Sequence, residues 1–481
     1  MAGLSFFLIF LSFLFITLGA ALTTTAFASL ALQPELLSNL TTLGYNEMTP
    51  IQAAALPKIL LGQDVIAQAK TGSGKTAAFG LGLLQKLEVE RFRIQTLVLC
   101  PTRELADQVA IEIRRLARGM HNVKVLTLCG GQPFGPQANS LEHGAHIIVG
   151  TPGRVDDHLR KGNLNLENVA MLVLDEADRM LDMGFQEVLD AIVVQLPKQR
   201  QTLLFSATFP EKITSLAGRL LKDPQQIKVE SSHSASSIEQ HFYKLESEAQ
   251  RFTALRLLLL HFAPESSVVF CTTRKETQDV ADGLSKLGFS AQALHGDMEQ
   301  KDRDQTLIQF ANKSSSILVA TDVAARGLDI AALDAVFNYQ LSLDPEVHVH
   351  RIGRTGRAGG QGIACTLYSA AEQFRLAALA DYLQQSLVPE ALPDDKALQK
   401  QPQQAMMQTL LIDGGKKDKL RPTDILGALT AKQQLAGQQI GKIHVTDRRS
   451  FVAVESNVAK QALQILNDGK LKGRSFRVKM L

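Results

Sequence analysis

Asp64-Val65-Ile66-Ala67-Gln68-Ala69-Lys70-Thr71-Gly72-Ser73-Gly74-Lys75-Thr76-Ala77-Ala78-Phe79-Gly80-Leu81 is the stretch on which the fold turns. Asp64 to Ala69 is mostly apolar and of strand length, and the residues from Thr76 read as the first turns of a helix. Between them, Ala69 to Thr76 fits the pattern G-x-x-x-x-G-K-[ST], with Ala at the first glycine position. A strand that turns through glycines into a helix N-terminus offers backbone N–H groups to an anion. Gly72 and Gly74 let the chain turn tightly and approach a ligand. Lys75 adds a point charge for outer phosphates, and Thr76 a hydroxyl for Mg2+. A glycine-rich turn with a chance lysine would not come with this strand before it and this helix after it.

Working outward, 481 residues exceed the ~250–300 that one core supports, so two or three domains are expected. With 45% apolar and 21% charged residues the composition is that of an ordinary globular protein. The net charge of +3 is unevenly placed. Residues 411–481 hold 14 Lys/Arg against 6 Asp/Glu, a net of +8, which leaves −5 for the rest and points to an acidic partner for the tail. Cys100, Cys129, Cys271 and Cys365 have no metal-ligand spacing and sit in or beside apolar segments, as buried thiols of a reducing compartment do. Met1 to Leu22 is almost wholly apolar and has no Lys or Arg. Three readings fit this leader: an over-long translation of a soluble protein, a membrane anchor, or a cleaved signal, with Ala26-Phe27-Ala28 as a small-x-small site.

From Leu36 strand-like runs alternate with amphipathic stretches, the signature of an α/β fold with a mainly parallel sheet. Runs at Thr96–Cys100, Lys124–Leu128, His146–Val149, Met171–Leu174 and Thr202–Phe205 belong to a first domain over 23–225, and polar residues between Asp223 and Ser236 mark its end. The pattern restarts over 236–385 without a second phosphate loop. Residues 386–405 read as a linker or strap. Residues 406–481 read as strand–helix–strand–strand–helix–strand, the split βαβ plan, with the helix at Arg421–Gln434 and the last strand at Ser475–Lys479.

Met171-Leu172-Val173-Leu174 runs into Asp175-Glu176-Ala177-Asp178, placing acids at the carboxyl end of a parallel strand, where α/β ligands bind. Asp175 is the candidate for Mg2+, partly through water, and Glu176 for polarising an attacking water. As an isolated feature the quartet also suits a helix N-cap. With the phosphate loop it resembles the name motif of the DEAD-box RNA helicases, and further segments match that family in order. The resemblance covers roughly 27–375 and implies two tandem RecA-like domains using ATP and Mg2+. Gly44-Tyr45 through Gln52 resembles the adenine-recognising segment, with Thr49 in it and Phe27 as the isolated upstream aromatic. Thr71, Gly72, Ser73, Gly74, Lys75 and Thr76 are the implied phosphate contacts. Pro101, Thr102, Arg103, Gly131, Thr151 and Arg154 resemble RNA-backbone contacts, and their hydroxyls and guanidinium groups suit phosphate. Ser206-Ala207-Thr208 resembles the segment coupling nucleotide state to unwinding.

In the second domain the resemblance implies RNA contacts at Arg274, Thr321 and Arg326, a ribose contact at Asp329, and Arg354 and Arg357 directed at the γ-phosphate. Arg351 reads as an internal organiser. The tail resembles the RNA-binding domain of DbpA-type helicases, through Ile412 to Lys417 and Arg421 to Leu429. Lys416, Lys417, Lys419, Arg448 and Arg449 are its candidate contacts, and Phe451 and Phe476 its only aromatics. The implied partners are a hairpin and adjacent duplex of 23S ribosomal RNA in the large-subunit precursor. The implied protein is a cytoplasmic monomer, with membrane attachment only if the leader is genuine. A nucleotide-binding RNA clamp without turnover and a membrane-tethered nucleotidase are the competing classes.

Overall fold

The computed structural model describes residues 25–69, 72–209, 211–229, 238–325, 333–356, 360–431 and 434–481. The apolar leader over 1–22 and the site candidates Thr71, Arg326, Asp329 and Arg357 lie outside the described residues. Two compact units divide the chain, Met1–Ser232 and His233–Leu481. Among the described residues no helix is long and apolar enough to cross a membrane.

The first unit is a seven-stranded parallel sheet with helices on both faces. Its strands are β1 (Val65–Gln68), β2 (Thr96–Leu99), β3 (Val125–Leu128), β4 (Ile147–Gly150), β5 (Met171–Asp175), β6 (Gln201–Ser206) and β7 (Gln225–Lys228). They lie in the order β3-β4-β2-β5-β6-β1-β7. Every residue of β2 and β5 is buried, which is why both read as continuous apolar runs rather than as alternation. One apolar cluster on each face of the sheet makes the core. Because β5, β6 and β1 are neighbours, the loops after them converge at one half of the carboxyl edge. The loops after β2, β4 and β3 occupy the other half.

The second unit begins with another parallel sheet: β8 (Ile238–Lys244), β9 (Ser267–Cys271), β10 (Ala291–Leu294), β11 (Ile317–Thr321), β12 (Ala335–Asn338), β13 (Gly362–Tyr368) and β14 (Pro389–Glu390). Their order is β10-β11-β9-β12-β13-β8-β14. The unit ends with an antiparallel sheet of β15 (Met407–Ile412), β16 (Ile440–Val445), β17 (Ser450–Glu455) and β18 (Val478–Met480), ordered β16-β17-β15-β18. Helices Pro422–Thr430 and Ala459–Asp468 cover one face of it, the split βαβ arrangement.

The polar stretch after Asp223 contains an edge strand, β7, three of whose four residues escape full burial. Edge strands keep polar residues for that reason, and the alternation is too short to read in sequence. The 386–405 segment is a packed strap. Pro389–Glu390 adds to β8, Leu392 and Leu398 lie against the core, and Arg256 Nη2 donates to Leu398 O at 3.1 Å. The helix expected to end at Gln434 ends at Thr430, and the final strand is shifted toward the C-terminus.

The antiparallel sheet is fastened to the parallel one. Thr409 is fully buried; its Oγ1 accepts from Asn312 Nδ2 at 3.1 Å and shares a hydrogen bond with Ser314 Oγ at 2.6 Å. Met407 N donates to Lys313 O at 3.4 Å.

Candidate functional site

The phosphate loop leaves β1 with Ala69 N donating to Ser206 O at 3.0 Å, which ties it to β6. Gly72 and Gly74 have φ of 83° and 94°, the left-handed region in which glycine carries no penalty. At Gly74 space is also decisive, since a Cβ would stand 2.6 Å from Gln52 Nε2. Gln52 holds the loop from behind: its Nε2 donates to Gly74 O at 3.1 Å, and its Oε1 accepts from Thr49 N at 2.8 Å.

Lys75 opens the helix Lys75–Gln85 and is 5% exposed. Its Nζ lies 4.0 Å from Asp175 Oδ1, at the end of β5. Lys75 Nζ, Asp175 Oδ1 and Ser73 Oγ are all buried without a hydrogen-bond partner among the described residues. Unsatisfied buried polar atoms are costly, and three that lie where the loop meets the end of β5, two of them an ammonium and a carboxylate 4.0 Å apart, suit a polar ligand. Burial pushes the Asp175 carboxyl up to about 6, against the pull of the Lys75 ammonium and with a further push from Glu176. Thr76 is half-buried in the first turn of the same helix.

Glu176 follows at φ 54°, a conformation uncommon outside glycine and met at functional sites. It forms a buried ion pair with Arg179. Asp178, to which the sequence assigned no role, accepts from Ala207 N at 3.1 Å and from Thr208 N and Oγ1, both at 3.0 Å. The coupling candidate Thr208 is thus joined directly to the acidic quartet. The other, Ser206, is fully buried at the end of β6 and lies close enough to Asp178 to act on its carboxyl. Only topology joins residues thirty apart, so no local spacing reveals this link. Burial pushes the Asp178 carboxyl up, but the Thr208 amide, the Ser206 hydroxyl and the nearby Arg179 and Lys75 charges outweigh it and hold it below the usual carboxylate range. A lowered carboxyl stabilises the fold above its unfolded value near 3.8, and that contribution is lost as pH falls through the folded value. Asp178→Ala should lower stability by about 2–3 kcal/mol at neutral pH by orphaning three donors. In thermal melts its deficit should shrink as pH falls below about 4.

Tyr45 is half-buried, its hydroxyl donating to Glu112 Oε1 at 2.7 Å and its ring 5.6 Å from the Arg115 guanidinium. Burial, reinforced by Glu112, pushes the phenol up to about 12. Phe27 is closed to solvent and meets Tyr45 edge-on, with centroids 6.2 Å apart.

At the other half of the edge, Thr102 caps helix Arg103–Leu116, its Oγ1 accepting from Leu105 N at 3.3 Å. Pro101 precedes it, and Arg103 reaches Asp107 at 3.9 Å. Thr151 O accepts from Arg154 N at 3.1 Å, and Arg154 Nη1 donates to Gln132 O at 3.0 Å, beside Gly131 at φ 71°. The structure therefore brings Gly131, Thr151 and Arg154 together.

In the second unit Arg351 is an internal organiser: it pairs with Asp322 at 2.6 Å, donates to Gln340 O at 2.9 Å and lies 5.2 Å from the Phe270 ring. Arg354 is buried one turn on, its N donating to Arg351 O at 3.1 Å. Thr321 ends β11, and its Oγ1 accepts from Ala324 N at 3.4 Å. Arg274 is exposed and paired with Asp297. All four cysteines are buried and free, and burial pushes each thiol up.

In the small sheet, Lys416 N donates to Thr446 O at 2.9 Å and Lys417 N to Asp447 O at 3.0 Å. Gly415 permits this approach, since a Cβ would fall 2.4 Å from Thr446 O. Two groups about thirty positions apart in sequence, Lys416, Lys417 and Lys419 on one side and Arg448 and Arg449 on the other, are thus brought onto one patch. Lys472 Nζ joins it by donating to Lys419 O at 2.8 Å. The face opposite the helices carries Thr409, Leu411, Phe451 and Ala453, all buried, so Phe451 offers no stacking surface. Phe476 is half-buried against Gly414.

Comparison with known proteins finds three family models along the chain: a DEAD/DEAH box helicase domain over residues 49–216, a helicase conserved C-terminal domain over 250–359, and a DbpA RNA binding domain over 409–480. The chain is 55% identical to the ATP-dependent RNA helicase DbpA of Escherichia coli K12, over 95% of this chain and 100% of the relative. It is 35% identical to the Bacillus subtilis 168 protein of the same name, over 94% and 98%. Among solved structures, Saccharomyces cerevisiae Dbp5 bound to RNA and ADP BeF3 superposes with a TM-score of 0.70 at 31% identity, covering 77% of this chain and 97% of that one.

Proposed function

This chain belongs to the DEAD-box family of ATP-dependent RNA helicases and has the DbpA-type domain order, and from that premise we propose that it couples ATP hydrolysis to local separation of duplexes in 23S ribosomal RNA during assembly of the large ribosomal subunit. The observation that carries the catalytic half is the buried trio of Ser73, Lys75 and Asp175 with polar atoms left unpartnered. That donor set fits phosphate oxygens and a divalent cation. Asp175 and the Thr76 hydroxyl would hold Mg2+, partly through water. The ion, when bound, offsets the negative charge that builds on the phosphates.

In this reading Gly72, Ser73, Gly74 and Lys75, with Thr71, bind the phosphates, and Thr49, Tyr45 and Gln52 form the base side with Phe27 behind Tyr45. Asp329 meets the ribose. Glu176 orients the attacking water. Arg354 and Arg357 add positive charge at the terminal phosphate during turnover. The Asp178–Thr208 hydrogen bonds carry the state of the phosphate loop to the rest of the unit.

Pro101, Thr102, Arg103, Gly131, Thr151 and Arg154, with Arg274, Thr321 and Arg326, hold the RNA backbone, so this part is blind to sequence. The address comes from the tail, whose basic patch binds a hairpin through loops and a helix end, with no aromatic sheet face available. The protein then works as a cytoplasmic monomer on the large-subunit precursor.

ATPase stimulation by ribosomal RNA fragments, compared between the full chain and residues 1–405, tests this. The full chain should respond to hairpin-containing RNA at far lower concentration than to scrambled RNA. The shortened chain should respond to both alike. A full chain with no RNA-stimulated turnover would leave a nucleotide-binding clamp as the reading. A shortened chain that still prefers the hairpin would remove the tail from the account.

A further inference from the structure

Helix Phe134–Glu142 follows β3, and helix Pro152–Arg160 follows β4, the neighbouring strand. Arg154, His158 and Lys161 stand at i, i+4 and i+7, on one face of the second helix and its C-cap. Phe134 lies on that face. Its ring stacks on the His158 imidazole with centroids 4.1 Å apart and planes at 14°. Lys161 Nζ stands 3.9 Å from the Phe134 centroid and the Arg154 guanidinium carbon 5.8 Å from it. His158 is fully buried, and its Nε2 meets Gln137 Oε1 at 3.3 Å. Burial and the Arg154 charge lower the imidazole below its ordinary value, so His158 is a neutral stacking partner.

The charges around this ring are unevenly matched. Arg160 binds both carboxylates of its helix, Asp156 at 2.8 Å and Asp157 at 2.9 Å. Arg154 also reaches Asp157, at 3.7 Å. Lys161 is exposed and makes no ion pair among the described residues; its ammonium is held only by the aromatic face. A long, flexible side chain is thereby fixed with its charge available to an anion.

We propose that Lys161 is an additional RNA phosphate contact, extending the track begun by Thr151 and Arg154, and that Phe134 is the positioning residue that holds it there. This rests on the RNA-binding reading above. A phosphate passing Arg154 meets a second cation on the same helix face. Because the ring fixes that cation in advance, binding forfeits less side-chain freedom.

The test is the salt dependence of binding of the full chain to single-stranded RNA with a non-hydrolysable ATP analogue. Neutralising one phosphate contact lowers the slope of log K against log salt by about 0.7 for a single strand. Lys161→Ala should show that decrease, with affinity about five-fold weaker at ~0.1 M salt and converging on the unaltered protein near ~1 M. Phe134→Leu should give most of the same loss of slope, Phe134→Tyr should restore it, and Phe134→Leu with Lys161→Ala should lose no more than Lys161→Ala. Lys198→Ala, an exposed lysine before β6, should leave the slope unchanged. An unaltered slope in Lys161→Ala overturns the contact. Loss in Lys161→Ala with none in Phe134→Leu overturns the positioning role. If the unaltered protein itself fails to bind RNA, it is the helicase reading that falls.

Discussion

Lys75→Ala is expected to abolish turnover: at saturating RNA, single-turnover ATP hydrolysis should fall by at least about 10^2–10^3-fold, the scale on which one preorganised charge-stabilising donor acts. Lys75 is 5% exposed, and its Nζ has no hydrogen-bond partner among the described residues. A buried ammonium in that state adds little to the fold and suits an anionic ligand. Its charge partner is Asp175, at 4.0 Å, and the neighbouring cation Arg179 is already paired with Glu176. Lys75→Arg should fare little better, since a planar guanidinium does not substitute for a compact point charge. RNA binding in the absence of nucleotide should persist. Hydrolysis within ten-fold of the unaltered protein would mean that the phosphates are held elsewhere.

The second large effect belongs to the tail. Replacing Lys416, Lys417, Lys419, Arg448 and Arg449 together by Ala should reduce affinity for the ribosomal RNA hairpin by roughly 10^2–10^3-fold at moderate salt, with the salt slope lower by about 3–4. The patch stands on backbone hydrogen bonds, from Lys416 N to Thr446 O and Lys417 N to Asp447 O, which survive the substitutions. The domain should keep its melting behaviour while losing its ligand. Generic RNA should still stimulate ATPase at high concentration. Hairpin binding that tolerates all five changes would move the recognition surface to another face.

Much of this fold is legible in the sequence, for a physical reason. Parallel strands buried on both faces, such as Thr96–Leu99 and Met171–Asp175, are unbroken apolar runs, and the ligand loops follow their carboxyl ends. The positions of Gly72 to Thr76 and Asp175–Glu176 at strand ends are therefore readable from sequence, whereas their roles rest on the motifs taken together. What sequence could not supply was contact across distance. Asp178 meets Thr208 because β5 and β6 are adjacent, and Phe134 meets His158 because β3 and β4 are. Phe27 reads as an aromatic near a base, yet its buried ring touches Tyr45, which is itself fixed by Glu112. The strand Gln225–Lys228 was lost for the opposite reason: at a sheet edge the burial that reveals a strand is mostly missing.

The hydrogen bonds that Thr409 shares with Asn312 and Ser314, and the strap that adds Pro389–Glu390 to β8, bear on reach. Twenty unstructured residues would let a tethered module wander over roughly 25 Å. Anchored at both its start and its finish, the same stretch behaves as a ruler. If the tail grips a hairpin at Lys416–Lys419 as proposed, that hairpin would sit at one set span from the second parallel sheet, and the number of base pairs between it and the helix to be opened would be a property of the protein rather than of chance.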